Sequence, residues 1–289
     1  MNDFMFRMPT KVMFGVGALR KVPGLCREQG YSRIFVVTGS TSTSKSPQLQ
    51  ELLAELAALS IATQVFSEVE ADPSIETVDR GAAALGAFGA DAVIAFGGGS
   101  PMDAAKSMSL VSANGGSIAD YMRAKKAFVQ RGVPLICVPT TAGTGSEVTA
   151  SAVTTDKATK EKIGIGHDFQ LPAYAVIDPL VQVSMPPAVT AATGMDALTH
   201  AIESYVALKA NPISDGMALT AIRLIAENLR QACANGENLE ARSNMALASL
   251  IAGISFTNAG LGAVHGIAHP VGAQYGISHG AANGIILPY

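Results

Sequence analysis

The sequence predicts an α/β domain built on a parallel sheet, followed by an all-α domain, and three observations support this prediction. The chain has 289 residues, which at roughly 150 residues per domain suggests two domains. Short β-branched segments alternate with segments of helical periodicity as far as about residue 170. Beyond Met185 the chain becomes rich in alanine, and its periodicity is helical.

The first half contains four predicted strands and two clearly periodic helices. The strands are expected at residues 33–39, 61–66, 91–96 and 133–138, and the helices at 46–59 and 75–88. The first helix repeats leucine at positions 49, 52, 53 and 56, on one helical face. Because helices separate the strands, we expect a parallel sheet covered on both faces, with ligands at the carboxyl ends of its strands.

The second half is expected to contain three long helices, at residues 188–207, 214–234 and 239–257. The turn-forming pairs Asn-Pro and Asn-Gly separate these helices. We therefore place a domain boundary near Ser184, between domains of residues 1–184 and 185–289. The apolar run Ile-Ile-Leu-Pro-Tyr at 285–289 leads us to expect that the helical domain is truncated.

The charge of the chain argues against two classes of partner. Lys and Arg number 20 and Asp and Glu 23, which gives a net charge of −3, and no basic run exceeds two residues. Proteins that bind nucleic acid or an anionic membrane carry basic patches, so we expect neither partner. Only 15% of the residues are charged and 48% are hydrophobic. This balance favours a large core or a subunit interface, and we expect a homo-oligomer such as a dimer.

The cysteines and the N-terminus indicate a cytoplasmic protein. Cys26, Cys137 and Cys233 are far apart and odd in number, which disfavours a disulfide framework and favours a reducing compartment. The N-terminal segment includes Asp3 and Arg7 but lacks the apolar core of a secretory signal. Apolar stretches are interrupted well before the ~20 residues that a membrane span requires.

A glycine-rich turn, Gly-Gly-Gly-Ser-Pro-Met-Asp at residues 97–103, follows a predicted strand and opens a predicted helix. Ser100 suits the N-cap of this helix and Pro101 its first position. Backbone N–H groups at such a helix start can bind a phosphate, which the helix dipole also favours. The segment is neither a GxGxxG fingerprint nor a P-loop. The alternative is a tight turn without a ligand.

A second polar loop, Thr-Thr-Ala-Gly-Thr-Gly-Ser-Glu at residues 140–147, also follows a predicted strand. Its alternating hydroxyl residues and glycines could surround a ribose or a pyrophosphate. An ordinary flexible loop is the alternative. Two such loops at one edge of the sheet favour ligand binding.

The histidines are concentrated in the helical half. Asp196 and His200 are four residues apart, and His265 and His269 repeat that spacing, so each pair shares a helical face. His279 adds a further imidazole. Imidazoles with one carboxylate suit Zn²⁺ or Fe²⁺ better than Mg²⁺ or Ca²⁺. The alternative for each histidine is an ordinary polar helix residue.

Four segments closely resemble the iron-containing, group III alcohol dehydrogenases, a family that includes lactaldehyde reductase and 1,3-propanediol dehydrogenase. They are GGGSPMDAAK (97–106), PTTAGTGSEVT (139–149), GMDALTHAIE (194–203) and GAVHGIAHPVGAQYGISHG (262–280). The resemblance is collinear from about Pro9 to Tyr289. It implies that the α/β domain (1–184) binds NAD or NADP, and that the helical domain (185–289) binds one Fe²⁺ or Zn²⁺ ion.

The resemblance also assigns roles in the helical domain. Its implied metal ligands are Asp196, His200, His265 and His279. His269 matches a histidine beside the nicotinamide that is usually not a ligand, and we expect it to act as the catalytic proton relay. Phe256 matches an aromatic residue near the substrate pocket.

For the cofactor, the resemblance implies contacts from both polar loops. Gly98, Gly99 and Ser100 would hold the pyrophosphate. Thr140, Thr141 and Thr144 would line the ribose side, and Lys162 matches a lysine that contacts the cofactor.

Gly39 departs from the pattern of the family members that prefer NAD, which carry an aspartate at this position. Ser40, Thr41 and Ser42 follow it and offer hydroxyl donors to a 2′-phosphate. We therefore expect Gly39 to form part of the cofactor site and NADP(H) to be accepted at least as well as NAD(H). The alternative is that Gly39 merely permits a tight turn.

The resemblance thus predicts a metal-dependent oxidoreductase that transfers a hydride between NAD(P) and a small primary alcohol or aldehyde. Two alternatives stay open. One is a glycerol dehydrogenase-type enzyme on the same fold. The other is an inactive cofactor-binding remnant, which the expected truncation motivates.

Overall fold

The structure, a computed structural model, describes residues 3–39 and 42–289. Its contacts divide the chain into two compact units. The sheet unit comprises Thr10–Thr140 and Ala150–Asp178. The helical unit comprises Pro179–Tyr289, the loop Thr141–Thr149 and the segment that ends at Pro9. The proposed domain limits of 1–184 and 185–289 stay a prediction.

The sheet unit alternates strands and helices over most of its length. Its elements are β1 (Lys11–Phe14), α1 (Val22–Glu28), β2 (Arg33–Gly39), α2 (Pro47–Ala58), β3 (Ala62–Val69), α3 (Ile75–Phe88), β4 (Ala92–Gly97), α4 (Gly99–Asn114), α5 (Ile118–Met122), β5 (Leu135–Pro139), β6 (Ser151–Asp156), β7 (Glu161–Gly166) and β8 (Tyr174–Ile177). Six strands form a parallel sheet in the order β1-β8-β5-β4-β2-β3. β6 and β7 pair antiparallel as a separate hairpin. The predicted α/β class with a parallel sheet is confirmed.

The central strands form where the sequence predicts them because they are nearly continuous apolar runs. Every residue of β4 and β5 is buried, as is typical of parallel strands covered on both faces. The helices begin at polar caps. The Ser46 hydroxyl accepts from the N–H of Leu49 at the start of α2, and the Ser74 hydroxyl accepts from the N–H of Thr77 at the start of α3.

The order of the strands creates a switch point between β2 and β4. From β2 the chain moves to β3 at one edge, and it then returns to β4 on the other side of β2. Open α/β sheets bind ligands outside the carboxyl ends of strands at such a point. Gly39 is the last residue of β2, and Gly97 is the last residue of β4. The glycine-rich turn therefore lies where this fold binds ligands.

The helical unit contains the three predicted long helices and two shorter ones. They are α6 (Pro187–Val206), α7 (Pro212–Ala234), α8 (Leu239–Ala259), α9 (Ala263–Tyr275) and α10 (His279–Ile286). Asn211 caps α7 by accepting from the backbone of Ser214, whose hydroxyl in turn accepts from the N–H of Asn211. The predicted all-helical second part is confirmed.

A buried arginine joins α8 to the start of α6. Arg242 is almost fully buried, and its guanidinium donates to Thr190 Oγ1 at 2.7 Å, to the Met185 carbonyl at 2.9 Å and to the Gly236 carbonyl at 2.9 Å. These oxygens satisfy the donors that burial removes from water. The contacts fix the chain that enters α6, the helix that carries Asp196.

The loop 141–149 packs directly on the backbone of α8. A Cβ atom on Gly253 would lie 2.9 Å from the Cα atom of Gly145, and a Cβ on Gly145 would lie 2.6 Å from the Cα of Gly253. Gly145 also has a φ of +61°, which favours glycine. The contact thus requires glycine on both sides.

In the part of the chain that the structure describes, no single helix is both long and apolar enough to cross a membrane. The pair α8 and α9, which meets at a bend of 108°, reaches that length and composition only when the two helices are taken together.

The close contact on α8 predicts opposite effects for two helical glycines. Gly253→Ala should lower the free energy of unfolding by about 1–3 kcal/mol, because the added methyl group overlaps the loop backbone. Gly216→Ala, on the exposed side of α7 with no atom near its Cβ position, should raise it by about 0.5–1 kcal/mol. Denaturant unfolding measures both, and equal stability of the two variants would contradict the contact.

The cysteines are predicted to differ in reactivity. Burial, with a smaller contribution from Asp91, raises the pKa of Cys26 to about 12, and Cys137 is also buried, whereas Cys233 is half-buried. Because the thiolate is the reactive form, a disulfide reagent near pH 8 should modify Cys233 first. Cys26 and Cys137 should react only after unfolding. A thiol count with and without denaturant tests this, and rapid reaction of all three in the native protein would contradict it.

Candidate functional site

Three helices bring the four predicted metal ligands around one carboxylate oxygen. Asp196 and His200 lie one turn apart on α6, His265 lies on α9 and His279 begins α10. Asp196 Oδ1 lies 3.9 Å from His200 Nε2, 3.6 Å from His265 Nε2 and 3.5 Å from His279 Nε2. The helical spacing on α6 and the packing of α10 against both α6 and α9 together produce this convergence.

The geometry and chemistry of this cluster fit a divalent ion. The facing atoms of Asp196, His265 and His279 all lie within 4.8 Å of one another. A tetrahedral ion with bonds of about 2.1 Å separates its ligand atoms by about 3.4 Å. One carboxylate oxygen and three imidazole nitrogens form a donor set for Fe²⁺ or Zn²⁺, whereas Mg²⁺ and Ca²⁺ prefer oxygen ligands.

Neighbouring groups orient the imidazole rings. The His200 ring stacks on Phe256 with centroids 4.4 Å apart, and its Nδ1 lies 3.2 Å from the Gly143 carbonyl oxygen. His265 Nδ1 lies 2.5 Å from Glu203 Oε2. In both rings Nδ1 is occupied by this contact, so Nε2 is the nitrogen that faces Asp196.

The cluster is strongly coupled electrostatically. Burial would raise the pKa of Asp196, but His200, His265 and His279 hold it well below its usual range. Burial lowers the pKa of His200 to about 4, against the opposing effect of Asp196. Burial also disfavours the charged form of His265, yet Asp196 and Glu203 raise its pKa to about 9. The buried carboxylates of Asp196 and Glu203 therefore stabilise a positive charge between them.

Two groups that the sequence analysis did not single out contact the cluster. Burial would raise the pKa of Glu203, but its hydrogen bonds with His265 and with the backbone of Gly262 and Val264 lower it, so the carboxylate is charged. The amide of Asn283, on α10, donates to Asp196 Oδ1 at 2.7 Å. Glu203 lies three residues after His200, a spacing that places both on one helical face and was visible in the sequence.

His269 and Phe256 border the same cluster. The His269 ring centroid lies 4.9 Å from that of His279 and 6.3 Å from that of His265. Phe256 contacts His200 as described above. The structure therefore brings both residues to the predicted ligands, and their roles as proton relay and substrate contact stay predictions.

The glycine-rich turn of the sheet unit differs in one detail from the expectation. Gly98, with extended backbone, is the N-cap of α4, and the helix starts at Gly99. Ser100 and Pro101 lie inside the first turn, so the prediction that they are the N-cap and the first position was wrong. The physical reason is that the Ser100 hydroxyl accepts from the N–H of Asp72 at 3.1 Å instead of capping the helix. Glycine at the cap provides no side-chain acceptor for the first N–H groups, which suits an anion.

The other predicted cofactor residues of the sheet unit connect to this turn. The N–H of Thr140 donates to the Gly97 carbonyl at 2.9 Å. The ammonium of Lys162, which has 6% of its side chain exposed, lies 2.7 Å from Asp72 Oδ2. Asp72 thus links Lys162 to Ser100. A Cβ on Gly39 would lie 3.8 Å from the ring of Pro101.

The remaining predicted cofactor residues lie elsewhere. Thr141 and Thr144 belong to the loop of the helical unit, where the Thr144 hydroxyl accepts from the N–H of Ser146 at 3.3 Å. Ser40 and Thr41, with the side chain of Ser42, lie outside the described residues. The expected contacts of residues 40–42 with a 2′-phosphate stay a prediction.

Comparison with known proteins yields one consistent group of similar proteins. A sequence model described as iron-containing alcohol dehydrogenase matches residues 9–179. A second, described as Fe-containing alcohol dehydrogenase family, C-terminal, matches residues 190–289. Together the two matches include both polar loops and every residue of the cluster.

Individual proteins show the same similarity. Long-chain-alcohol dehydrogenase 1 of Geobacillus thermodenitrificans is 41% identical over 277 residues, which are 95% of this chain and 69% of that protein. NAD-dependent methanol dehydrogenase of Bacillus methanolicus is 41% identical over 286 residues, 98% of this chain and 74% of that protein. The crystal structure of a 1,3-propanediol oxidoreductase superposes with a TM-score of 0.93 at 40% identity, over 99% of this chain and 75% of that one.

Proposed function

This chain belongs to the iron-containing alcohol dehydrogenase family, and we propose that it acts on small primary alcohols and aldehydes with one divalent ion and NAD(P). It is an oxidoreductase of the alcohol dehydrogenase class. The observation that carries the finer proposal is the convergence of three imidazoles on Asp196 Oδ1.

We propose that Asp196, His200, His265 and His279 hold the ion, with Fe²⁺ first and Zn²⁺ as the alternative. Support comes from the mutual separations of the donor atoms of Asp196, His265 and His279, and from the 3.9 Å between His200 Nε2 and Asp196 Oδ1. The buried negative charge of Asp196 and Glu203 adds to this support. Such an ion supplies a positive charge that polarises the oxygen of an alcohol or aldehyde. Phe256, stacked on His200, would provide an apolar contact for the carbon chain of the substrate.

We propose that the cofactor is NAD or NADP, held by both polar loops. The start of α4 at Gly98, Gly99 and Ser100, whose glycine N-cap has no side-chain acceptor, would bind the pyrophosphate through backbone N–H groups. Lys162 would add a positive charge, and Thr140, Thr141 and Thr144 would donate hydroxyl groups to the ribose side. A nicotinamide held there would supply the hydride-transfer chemistry, and these residues would fix its position.

His269 is proposed as the group that carries a proton between the substrate oxygen and water. An imidazole can both take up and release a proton near neutral pH. The centroid of its ring is 4.9 Å from that of His279, next to the proposed ion site. A homo-oligomer such as a dimer, a cytoplasmic location and the lack of nucleic-acid and membrane partners stay predictions.

The metal assignment predicts a difference between two neighbouring histidines. The unmodified chain should retain about one divalent ion, and His279→Ala should lose both the ion and activity. His269→Ala should keep the ion and lose at least about 100-fold in kcat, as expected when a general acid–base group is removed. Metal content by elemental analysis and the rate of alcohol oxidation are the two measurements.

The possible outcomes separate the alternatives. Loss of the ion in His269→Ala as complete as that in His279→Ala would show that relay and ligand are wrongly assigned. An unmodified chain that holds the ion and binds NAD(P) without turning over alcohols would favour the inactive remnant. Turnover of glycerol with little activity on primary alcohols would favour a glycerol dehydrogenase-type enzyme.

The absence of a carboxylate at the end of β2 predicts the cofactor preference. NADP(H) should be accepted at least as well as NAD(H). Gly39→Asp should lower the ratio of kcat/KM for NADPH to that for NADH at least about tenfold, because a carboxylate repels a 2′-phosphate. Among the described residues, the atoms nearest to a Cβ on Gly39 are 3.8 Å away, in Pro101 and Val69, so they leave room for the side chain.

Gly39→Asn is the matched control, because it adds a side chain of the same size without the charge and should leave the ratio nearly unchanged. An equal shift in both variants would indicate a steric effect. A strong preference of the unmodified protein for NAD(H) would contradict the proposal.

A further inference from the structure

Glu203 has a buried carboxylate next to the cluster, and it is not one of the four predicted ligands. It is only 4% exposed and lies on α6, one turn after His200. Its Oε2 lies 2.5 Å from His265 Nδ1, and its Oε1 accepts from the N–H of Val264 at 2.6 Å. One carboxylate therefore contacts both the ring of a predicted ligand and the backbone beside it.

The backbone contact places Glu203 at the start of α9. This helix begins at Ala263, with Gly262 as an N-cap that provides no side-chain acceptor. The first N–H groups of a helix need acceptors, and an anion there is also favoured by the helix dipole. Glu203 supplies this acceptor from α6, and its distance to a Cβ on Gly262 would be only 2.9 Å. Glycine at 262 therefore allows the carboxylate to approach.

The ring contact determines which nitrogen of His265 is available to an ion. A carboxylate can only accept, so the Nδ1 that it contacts carries a hydrogen. In the neutral ring the lone pair is then on Nε2, the atom that lies 3.6 Å from Asp196 Oδ1. The Glu203 contact thus selects the form of His265 that can act as a metal ligand.

We propose that Glu203 is a positioning residue: its single carboxylate caps α9 and, through Nδ1, fixes the orientation and tautomer of His265, and so controls how long the ion is retained. This inference rests on the proposed metal site. It assigns Glu203 no contact with the ion, the substrate or the cofactor. Residues that orient a metal-bound histidine typically contribute 10–100-fold to metal affinity.

Glu203→Gln separates the two contacts, because the amide has one acceptor oxygen and one NH₂ donor. If the NH₂ faces His265, the hydrogen of the ring moves to Nε2 and blocks the ligand atom. If the NH₂ faces Val264, two donors meet and the cap is lost. In either orientation one of the two contacts fails.

The experiment measures the rate at which Zn²⁺ leaves the 289-residue chain, by transfer to a coloured chelator, and the visible spectrum of the Co²⁺-loaded chain. Glu203→Gln should release Zn²⁺ about 10–100-fold faster and alter the Co²⁺ spectrum. Glu227→Gln, the same change on the exposed side of α7, is the control and should match the unmodified protein.

A second variant perturbs the same contact without changing Glu203, so the test does not depend on the folding of one variant. Gly262→Ala brings a methyl group within 2.9 Å of Glu203 Oε1 and should also accelerate release. Gly266→Ala on the same helix should not accelerate release, because no atom of residues 3–39 and 42–289 lies within 4 Å of its Cβ position. Unchanged release and an unchanged Co²⁺ spectrum in Glu203→Gln, even with a lower Tm, would overturn the proposal and leave Glu203 as a helix cap. An unmodified chain that binds neither ion would overturn the proposed metal site together with this inference.

Discussion

The carboxylate of Asp196, a residue of the helical unit that is only 2% exposed, is the constraint on which the candidate site depends. A buried charge without partners costs several kcal/mol, so the surrounding elements must compensate it. α6 contributes His200, α9 contributes His265, and α10 contributes His279 and the amide of Asn283. The same contacts therefore hold the three helices together and bring the candidate ligands to one point.

In the sheet unit, the candidate site for the cofactor phosphates consists mainly of backbone N–H groups. Its strand order places the ends of β2 and β4 at a switch point. The start of α4 presents backbone N–H groups to which its N-cap, Gly98, offers no side-chain acceptor. Asp72 connects Ser100 of this turn with the nearly buried Lys162. Such a helix start and a nearby lysine fit the pyrophosphate site that we propose here.

Much of this architecture could be predicted from the sequence, because local pattern and tertiary structure agree. β2 is a buried β-branched run and α3 has a serine cap and one apolar face, and both have the predicted bounds. The edge strand β1 and its neighbour β8 were missed because each has only four residues. The hairpin β6–β7 was missed because its turn contains Lys160 at a φ of +58° in place of the expected glycine. The contacts of Glu203 with Val264 and of Asp72 with Lys162 join residues that are distant in sequence, so no local pattern reveals them.

The central claim is that Asp196 and three imidazoles share one ion, and anomalous diffraction from crystals loaded with iron or zinc tests it most directly. The account predicts a single anomalous peak at about 2.0–2.2 Å from Asp196 Oδ1 and from the Nε2 atoms of His200, His265 and His279. A peak within bonding distance of Glu203 or His269, or a peak outside the cluster, would contradict it.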